Sequence, residues 1–212
     1  MAFLPSLSVL SVFTLASIML AITPGPDMTL FLGRTLMGGR RLGFAAMFGA
    51  STGLLVHATL AGFGLSALIA ASPAAFTLLK ITGAVYLLFL AVQAFRHGSA
   101  LNLSGKAEVA GLWSTYLTGL AINLGNPKII MFYITFLPQF VGADDPDASG
   151  KLLFLGFYFL LIGMPVSALI IVVAGRFIDA MRRNPKAMRI FDYGFAALMC
   201  GFAARLLTTQ GR

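Results

Sequence analysis

The sequence predicts an all-α, polytopic integral membrane protein, with six transmembrane helices arranged as two inverted three-helix halves. Three observations carry that reading. The 212 residues are 58% hydrophobic and only 10% charged, with a mean hydropathy of +0.91; a soluble domain rarely hides so much apolar surface behind so little charge. Apolar stretches of about 20 residues, the length that crosses a bilayer core, recur along the chain. Two of them are interrupted at matching places, by Thr23-Pro24-Gly25-Pro26-Asp27 and by Asn123-Leu124-Gly125-Asn126-Pro127-Lys128. Proline removes a backbone donor and breaks the helical ladder. In lipid, irregular backbone persists only where protein or a watery cavity satisfies the freed groups. Paired breaks at corresponding positions of two halves point to a transporter site.

Taken in order, the first span is Leu7–Leu32, and the first basic residue, Arg34, follows it. A secretory leader needs positive charge ahead of its apolar core, so this span is expected to remain in the mature protein. The second, Phe44–Ala71, carries Ala45, Gly49, Gly53, His57 and Ala61 at every fourth position. Such a small-residue stripe lets helix backbones approach closely where lipid supplies no hydrophobic drive. Packing within the chain and a homo-oligomer seam would both use it. The third span, Phe76–Phe95, completes a first half, residues 1–97, and a cytoplasmic linker, 98–111, leads to the second half, 112–212. There the fourth span is Leu112–Phe140, the fifth Leu152–Gly175 and the sixth Ile190–Leu207. The sixth holds Cys200, the single cysteine, so no intramolecular disulfide forms. The longer spans leave room for tilt or interfacial turns, and a five-span alternative would make one of them re-entrant.

The formal net charge of +8 does not indicate nucleic acid, because its placement follows a membrane topology. Arg34, Arg40 and Arg41 follow the first span, Arg96 and Lys106 the third, and Arg176, Arg182, Arg183, Lys186 and Arg189 the fifth. The intervening connections are neutral at Ser72-Pro73 and acidic at Asp144-Asp145-Pro146-Asp147. Short cytoplasmic loops collect Lys and Arg, which puts the basic loops inside and both termini outside, against the mild objection of Arg205 and Arg212. With three spans per half, the halves enter the bilayer in opposite directions.

Within the spans, Asp27 is the strongest candidate for a substrate or proton site, since an acid in lipid is costly and marks a pathway by default. Pro26 fits the first position of a restarted helix, whose dipole favours the carboxylate anion. Asn126 and Pro127 read as an N-cap and first-turn proline, so Lys128 opposes a helix dipole and needs an anion, either Asp27 or a substrate carboxylate. A basic end and an acidic end in one cavity suit a zwitterion such as an amino acid. Asn123 and Asn126, three apart, offer amides on one face. His57 either relays protons or donates a hydrogen bond across a helix interface. Lys80 and Asp192 lie near span ends and read as interfacial anchors. One cysteine and two histidines make a poor soft-metal site, and no phosphate-cradling Gly-Lys-Ser/Thr loop is present. No cofactor, metal or enzymatic role is expected. Gly38-Gly39-Arg40-Arg41-Leu42-Gly43 reads as a basic cytoplasmic turn.

With these residues in view, the chain resembles the LysE/RhtB family of bacterial amino-acid exporters. The likeness begins with Thr23-Pro24-Gly25-Pro26-Asp27 and runs through Gly38–Gly43 into Gly49 and Gly53. It continues with Gly83-Ala84-Val85-Tyr86-Leu87, then Asn123, Asn126-Pro127-Lys128 and Leu137-Pro138-Gln139-Phe140. Position 52 is Thr where many members carry an acid. The resemblance implies export of amino acids or related small solutes from the cytoplasm across a bacterial inner membrane, in exchange for protons. In the resulting scheme Asp27 binds the amino group or a proton, Lys128 the carboxylate, and Asn123 and Asn126 line the site, with His57 as a relay. Metal-cation export, a membrane scaffold and a lipid-modifying enzyme are the alternatives, the last lacking the clustered acid and base groups it needs.

Overall fold

The computed structural model describes residues 4–65, 78, 81–82, 84–85, 88–89, 91–92, 95–96, 111–142, 145–176 and 184–208. Every regular element among them is helical. Helix α1, Leu7–Ile22, opens on Ser6, whose hydroxyl accepts the Val9 N–H at 3.4 Å. It stops at Thr23, because Pro24 and Pro26 bring no donors to continue the ladder. Helix α2, Pro26–Gly38, restarts with proline in its first turn, and the two axes meet at 51°. The first expected span is thus a broken one.

Helix α3, Arg40–Leu60, follows after the single residue Gly39, at φ 85°. Only glycine adopts that left-handed conformation without crowding a Cβ, and its N–H caps Thr35 at 2.9 Å. The basic turn expected at Gly38–Gly43 is therefore a one-residue reversal, with Arg40 and Arg41 already in the first turn of α3. A π-helical turn, Ala61–Leu65, extends α3. A second broken pair follows further along the chain. Helix α4, Leu112–Leu124, and helix α5, Pro127–Met131, are separated by Gly125 and Asn126. A π turn, Phe132–Phe136, and a 3-10 turn, Leu137–Phe140, continue α5. The bend between α4 and this continuation is 49°. Helix α6 is Ala148–Val172 and helix α7 is Pro185–Thr208, the latter starting ahead of the expected Ile190.

Among the described residues, α3 with its π turn and α6 are long and apolar enough to cross a bilayer, and each bent pair would add one more, four in all. The expected third span, Phe76–Phe95, is helical at its described positions. Ser72-Pro73, Lys80, Gly83, Tyr86, Leu87, linker residues 98–110, Asp144, Arg182, Arg183 and Arg212 lie outside the described residues. Asp192, expected at an interface, is instead buried in α7.

Two packing features position the site. Helices α3 and α4 cross in near backbone contact: a Cβ on Gly49 would lie 1.9 Å from the Tyr116 carbonyl oxygen, and one on Gly119 2.1 Å from that of Ala46. The small-residue stripe at Gly49 and Gly53 is committed to this crossing inside the chain. Thr52 and Tyr116 share a hydrogen bond at 2.8 Å across it. The second feature is an aromatic core that joins α1, the α5 continuation and α6. Phe13 meets Phe140 edge-on at 5.1 Å, and Phe132 lies 4.3 Å from Phe159 between ring centroids. Large apolar side chains elsewhere, such as Leu60, Trp113 and Leu161, face outward. In a bilayer-spanning chain this is the surface lipid covers.

Candidate functional site

The two breaks meet. Gly25 is the N-cap of α2 in extended backbone (φ −170°), so Asp27 sits in the first turn of α2, where the unpaired N–H groups concentrate positive potential. Its Oδ2 accepts two amide hydrogens from the other break: Asn123 Nδ2 at 2.9 Å and Asn126 Nδ2 at 3.1 Å. Asn126 also caps α5 as expected, its Oδ1 accepting the Lys128 N–H at 3.0 Å. Both asparagines are buried, 1% exposed. The second carboxylate oxygen, Asp27 Oδ1, is buried and accepts no hydrogen bond among the described residues.

Lys128 answers in the opposite direction. Its ammonium donates to the Thr23 carbonyl at 2.9 Å and to the Leu20 carbonyl at 3.3 Å, at the C-terminal end of α1. Carbonyls there have lost their intrahelical partners and carry the negative end of the dipole. No ion pair joins Lys128 to Asp27 among the described residues. Two backbone carbonyls, which neither sequence candidate included, thus hold the ammonium, and the charge of Asp27 acts on it from beyond ion-pair distance. Gly25 leaves room for this contact: a Cβ there would lie 3.0 Å from Lys128 Nζ, so the ammonium would have to give by a few tenths of an ångström. Each break is therefore completed by groups from the other.

His57 stands behind this arrangement. Its Nε2 lies 3.3 Å from the Asn123 carbonyl, which can only accept, so Nε2 carries the proton. Its ring stacks on Tyr133 at 5.6 Å, and the Tyr133 hydroxyl donates to the Gly156 carbonyl at 3.1 Å. The interhelical hydrogen bond read as one of two roles for His57 is formed. Gly53 closes the other side of Asn123, whose Oδ1 would lie 2.5 Å from an added Cβ.

A cavity of about 50 Å³ opens beside Asp27, Asn123 and Lys128. That is room for roughly three waters, well below the roughly 300–1,000 Å³ of sites for larger ligands. Asn126 and His57 lie outside its lining. The breaks at Pro24, Gly25, Pro26 and Pro127 thus bring four of the five candidate side chains around one point, with His57 one residue removed. Sequence reasoning missed the Leu20 and Thr23 carbonyls, which no residue type announces. It also missed Tyr133, which nothing in the sequence sets apart from the other four tyrosines.

A chain helical throughout its described residues, with bilayer-length apolar helices and two broken pairs interlocked around a buried acid, is built as a helical membrane transporter. The chain belongs to the LysE type translocator family, whose family model matches residues 18–210; this is a translocator family, not an enzyme family. It is similar to the homoserine/homoserine lactone efflux proteins of Salmonella typhimurium and Salmonella typhi. Each is 30% identical over 198 residues, covering 93% of this chain and 95% of the relative. An uncharacterized membrane protein of Vibrio cholerae is 30% identical over 203 residues, covering 93% of this chain and 96% of the relative. No solved structure matches.

Proposed function

We propose that this protein exports amino acids or closely related small zwitterionic solutes from the cytoplasm across a bacterial inner membrane, in exchange for protons. The observation that carries the reading is the half-satisfied carboxylate. Asp27 Oδ2 is fixed by two amides, while Oδ1 has no donor among the described residues, in a side chain that lines a cavity. An unpartnered buried carboxylate oxygen attracts a proton or an organic ammonium. Homoserine and its lactone, named for two of the relatives, share an α-ammonium group but not a free carboxylate, so an acid is the feature that serves both.

One carboxylate that holds either a proton or an ammonium, but not both, couples their movements. A substrate ammonium displaces the proton on the cytoplasmic side, and a returning proton displaces the ammonium outside. Lys128 lines the same cavity and has one N–H beyond the two donated to α1, which serves the substrate carboxylate. Asn123 and Asn126 hold Asp27 in place, and His57 holds Asn123. The bent pairs α1–α2 and α4–α5 move against each other for alternating access, as the first spans of two inverted halves, with the basic loops cytoplasmic and both termini outside. The small cavity belongs to a state in which the walls have closed. Asp27→Asn tests the scheme: it keeps the shape of the side chain and removes its proton and ammonium site. Efflux from cells loaded with amino acids by dipeptide feeding is expected to fall severely, with normal amounts of protein in the membrane. Unchanged efflux would remove Asp27 from the mechanism.

A further inference from the structure

The walls of the cavity say what the charges do not. Asp27 and Lys128 are its charged lining residues, one of each sign. An α-amino acid engages both with its own ammonium and carboxylate, so no charged partner remains for its side chain. The other lining polar groups are few. The Ser51 hydroxyl donates to the Met47 carbonyl at 2.9 Å. Asn123 Nδ2 donates to Asp27, while Asn123 Oδ1, packed against Gly53, is a buried acceptor with no donor among the described residues. Ser167 adds a single hydroxyl. Around them stand three methionines from three helices, Met28 on α2, Met47 on α3 and Met164 on α6, together with Phe31 and Phe159. Met28 and Met47 are otherwise buried, at 5% and 4% exposure.

A charged side chain placed against this wall would lose its water and gain no counter-charge, which is heavily penalised. A hydroxyl would exchange its water for no more than Asn123 Oδ1 and the two serine hydroxyls, in a wall that is otherwise apolar. Methionine is unbranched and polarisable, and it reshapes around aliphatic groups of different outline. Resting on the amino-acid reading above, we propose that the exported amino acid carries an uncharged, apolar side chain. A short aliphatic or thioether group seats against Met28, Met47 and Met164, and a hydroxylated amino acid such as homoserine is the poorer substrate.

The test is self-exchange in proteoliposomes containing the purified protein. Uptake of each labelled amino acid is measured against the same unlabelled one inside. The panel is leucine, methionine, norvaline, homoserine, lysine and glutamate. Leucine, methionine and norvaline are expected to exchange about tenfold or more faster than homoserine, since single methylenes in an apolar pocket are worth about that factor, and lysine and glutamate are expected not to exchange. Met47→Ala is expected to narrow the margin of leucine over homoserine. Met164→Ala, on a separate helix, gives the same readout if the first variant fails to reach the membrane. Homoserine or lysine exchanging as fast as leucine overturns this inference and leaves the amino-acid reading standing. No exchange of any member, with protein verified in the vesicles, overturns the amino-acid reading and this inference with it.

Discussion

Replacing Gly53 by alanine tests whether the hold on Asp27 matters, without touching Asp27 itself. The new methyl would lie 2.5 Å from Asn123 Oδ1 and 3.0 Å from both Asn123 Cβ and Cγ. Comfortable carbon contacts begin near about 3.5 Å, so Asn123 must withdraw by roughly 0.5–1 Å. Rotation of the amide does not relieve the clash, because Cβ is crowded too; the backbone of α4 has to move. The Asn123–Asp27 hydrogen bond, now 2.9 Å, then stretches beyond the range in which it counts as one. A hydrogen bond to a charged group contributes about 1.5–3 kcal/mol. At about 1.4 kcal/mol per factor of ten, transport is expected to fall roughly ten- to a hundredfold. The assay is amino-acid efflux normalised to protein in the membrane. Wild-type efflux per molecule would refute the argument that Asn123 positions Asp27 for transport. Gly49→Ala, about one turn earlier, is the contrasting variant. Its methyl would meet the Tyr116 carbonyl at 1.9 Å, backbone that cannot swing aside. Overpacking of that kind costs about 1–3 kcal/mol or more, and it is expected to deplete the protein from the membrane rather than slow the molecules that remain.

Lys128→Met is expected to leave the Leu20 and Thr23 carbonyls without a donor, at about 1–3 kcal/mol for each buried group. Its thermal midpoint in detergent should drop clearly, and an unchanged midpoint would mean the ammonium is not holding the break. Lys128→Arg should not restore it, because the broader guanidinium has Gly25 to displace. Outside the membrane-spanning segments, the hydrogen bond from Lys151 holds the Asp145 carboxyl below its ordinary value of 3.8. A carboxyl depressed in the folded state contributes stability above its unfolded value and loses it as pH falls through the folded one. Lys151→Ala should therefore bring the Asp145 titration, followed by carboxyl NMR, up toward 3.8, with at most about 0.2–1 kcal/mol of stability involved near neutral pH.

What could be read in the sequence was what proline and charge dictate locally. Pro24 and Pro26 end one helix and begin another because they lack donors, and Asn126-Pro127 does the same with a side-chain cap, as the Asn126 Oδ1 contact bears out. Asp27 was identifiable because an acid in an apolar run has few reasons to be there. The partner of Lys128 was not, since it consists of backbone carbonyls that become available only through the 51° bend between α1 and α2. The role of Gly25 was hidden for the same reason: its backbone is ordinary and extended, and only the passing lysine makes the missing side chain useful. The small-residue stripe was visible on α3, but its destination on α4 depended on a crossing that a single period cannot specify. Gly39 shows the opposite failure, a turn read too generously where one left-handed residue suffices.

The interlock also sets an order of events during synthesis. Asp27 precedes Asn123 by 96 positions, and Leu20 precedes Lys128 by 108. A carboxyl group and two open carbonyls therefore reach the bilayer long before the amides and the ammonium that complete them. Until then the first bent pair is only provisionally housed, and a ribosome stalled between the two breaks exposes a chain that the membrane holds poorly. Nascent chains arrested before Asn123 are expected to be extracted by alkali and degraded faster than chains that continue past Lys128. Equal persistence would mean that the first break finds an interim partner. The second break thus acts as a checkpoint on the first, so that only chains made past it become resident.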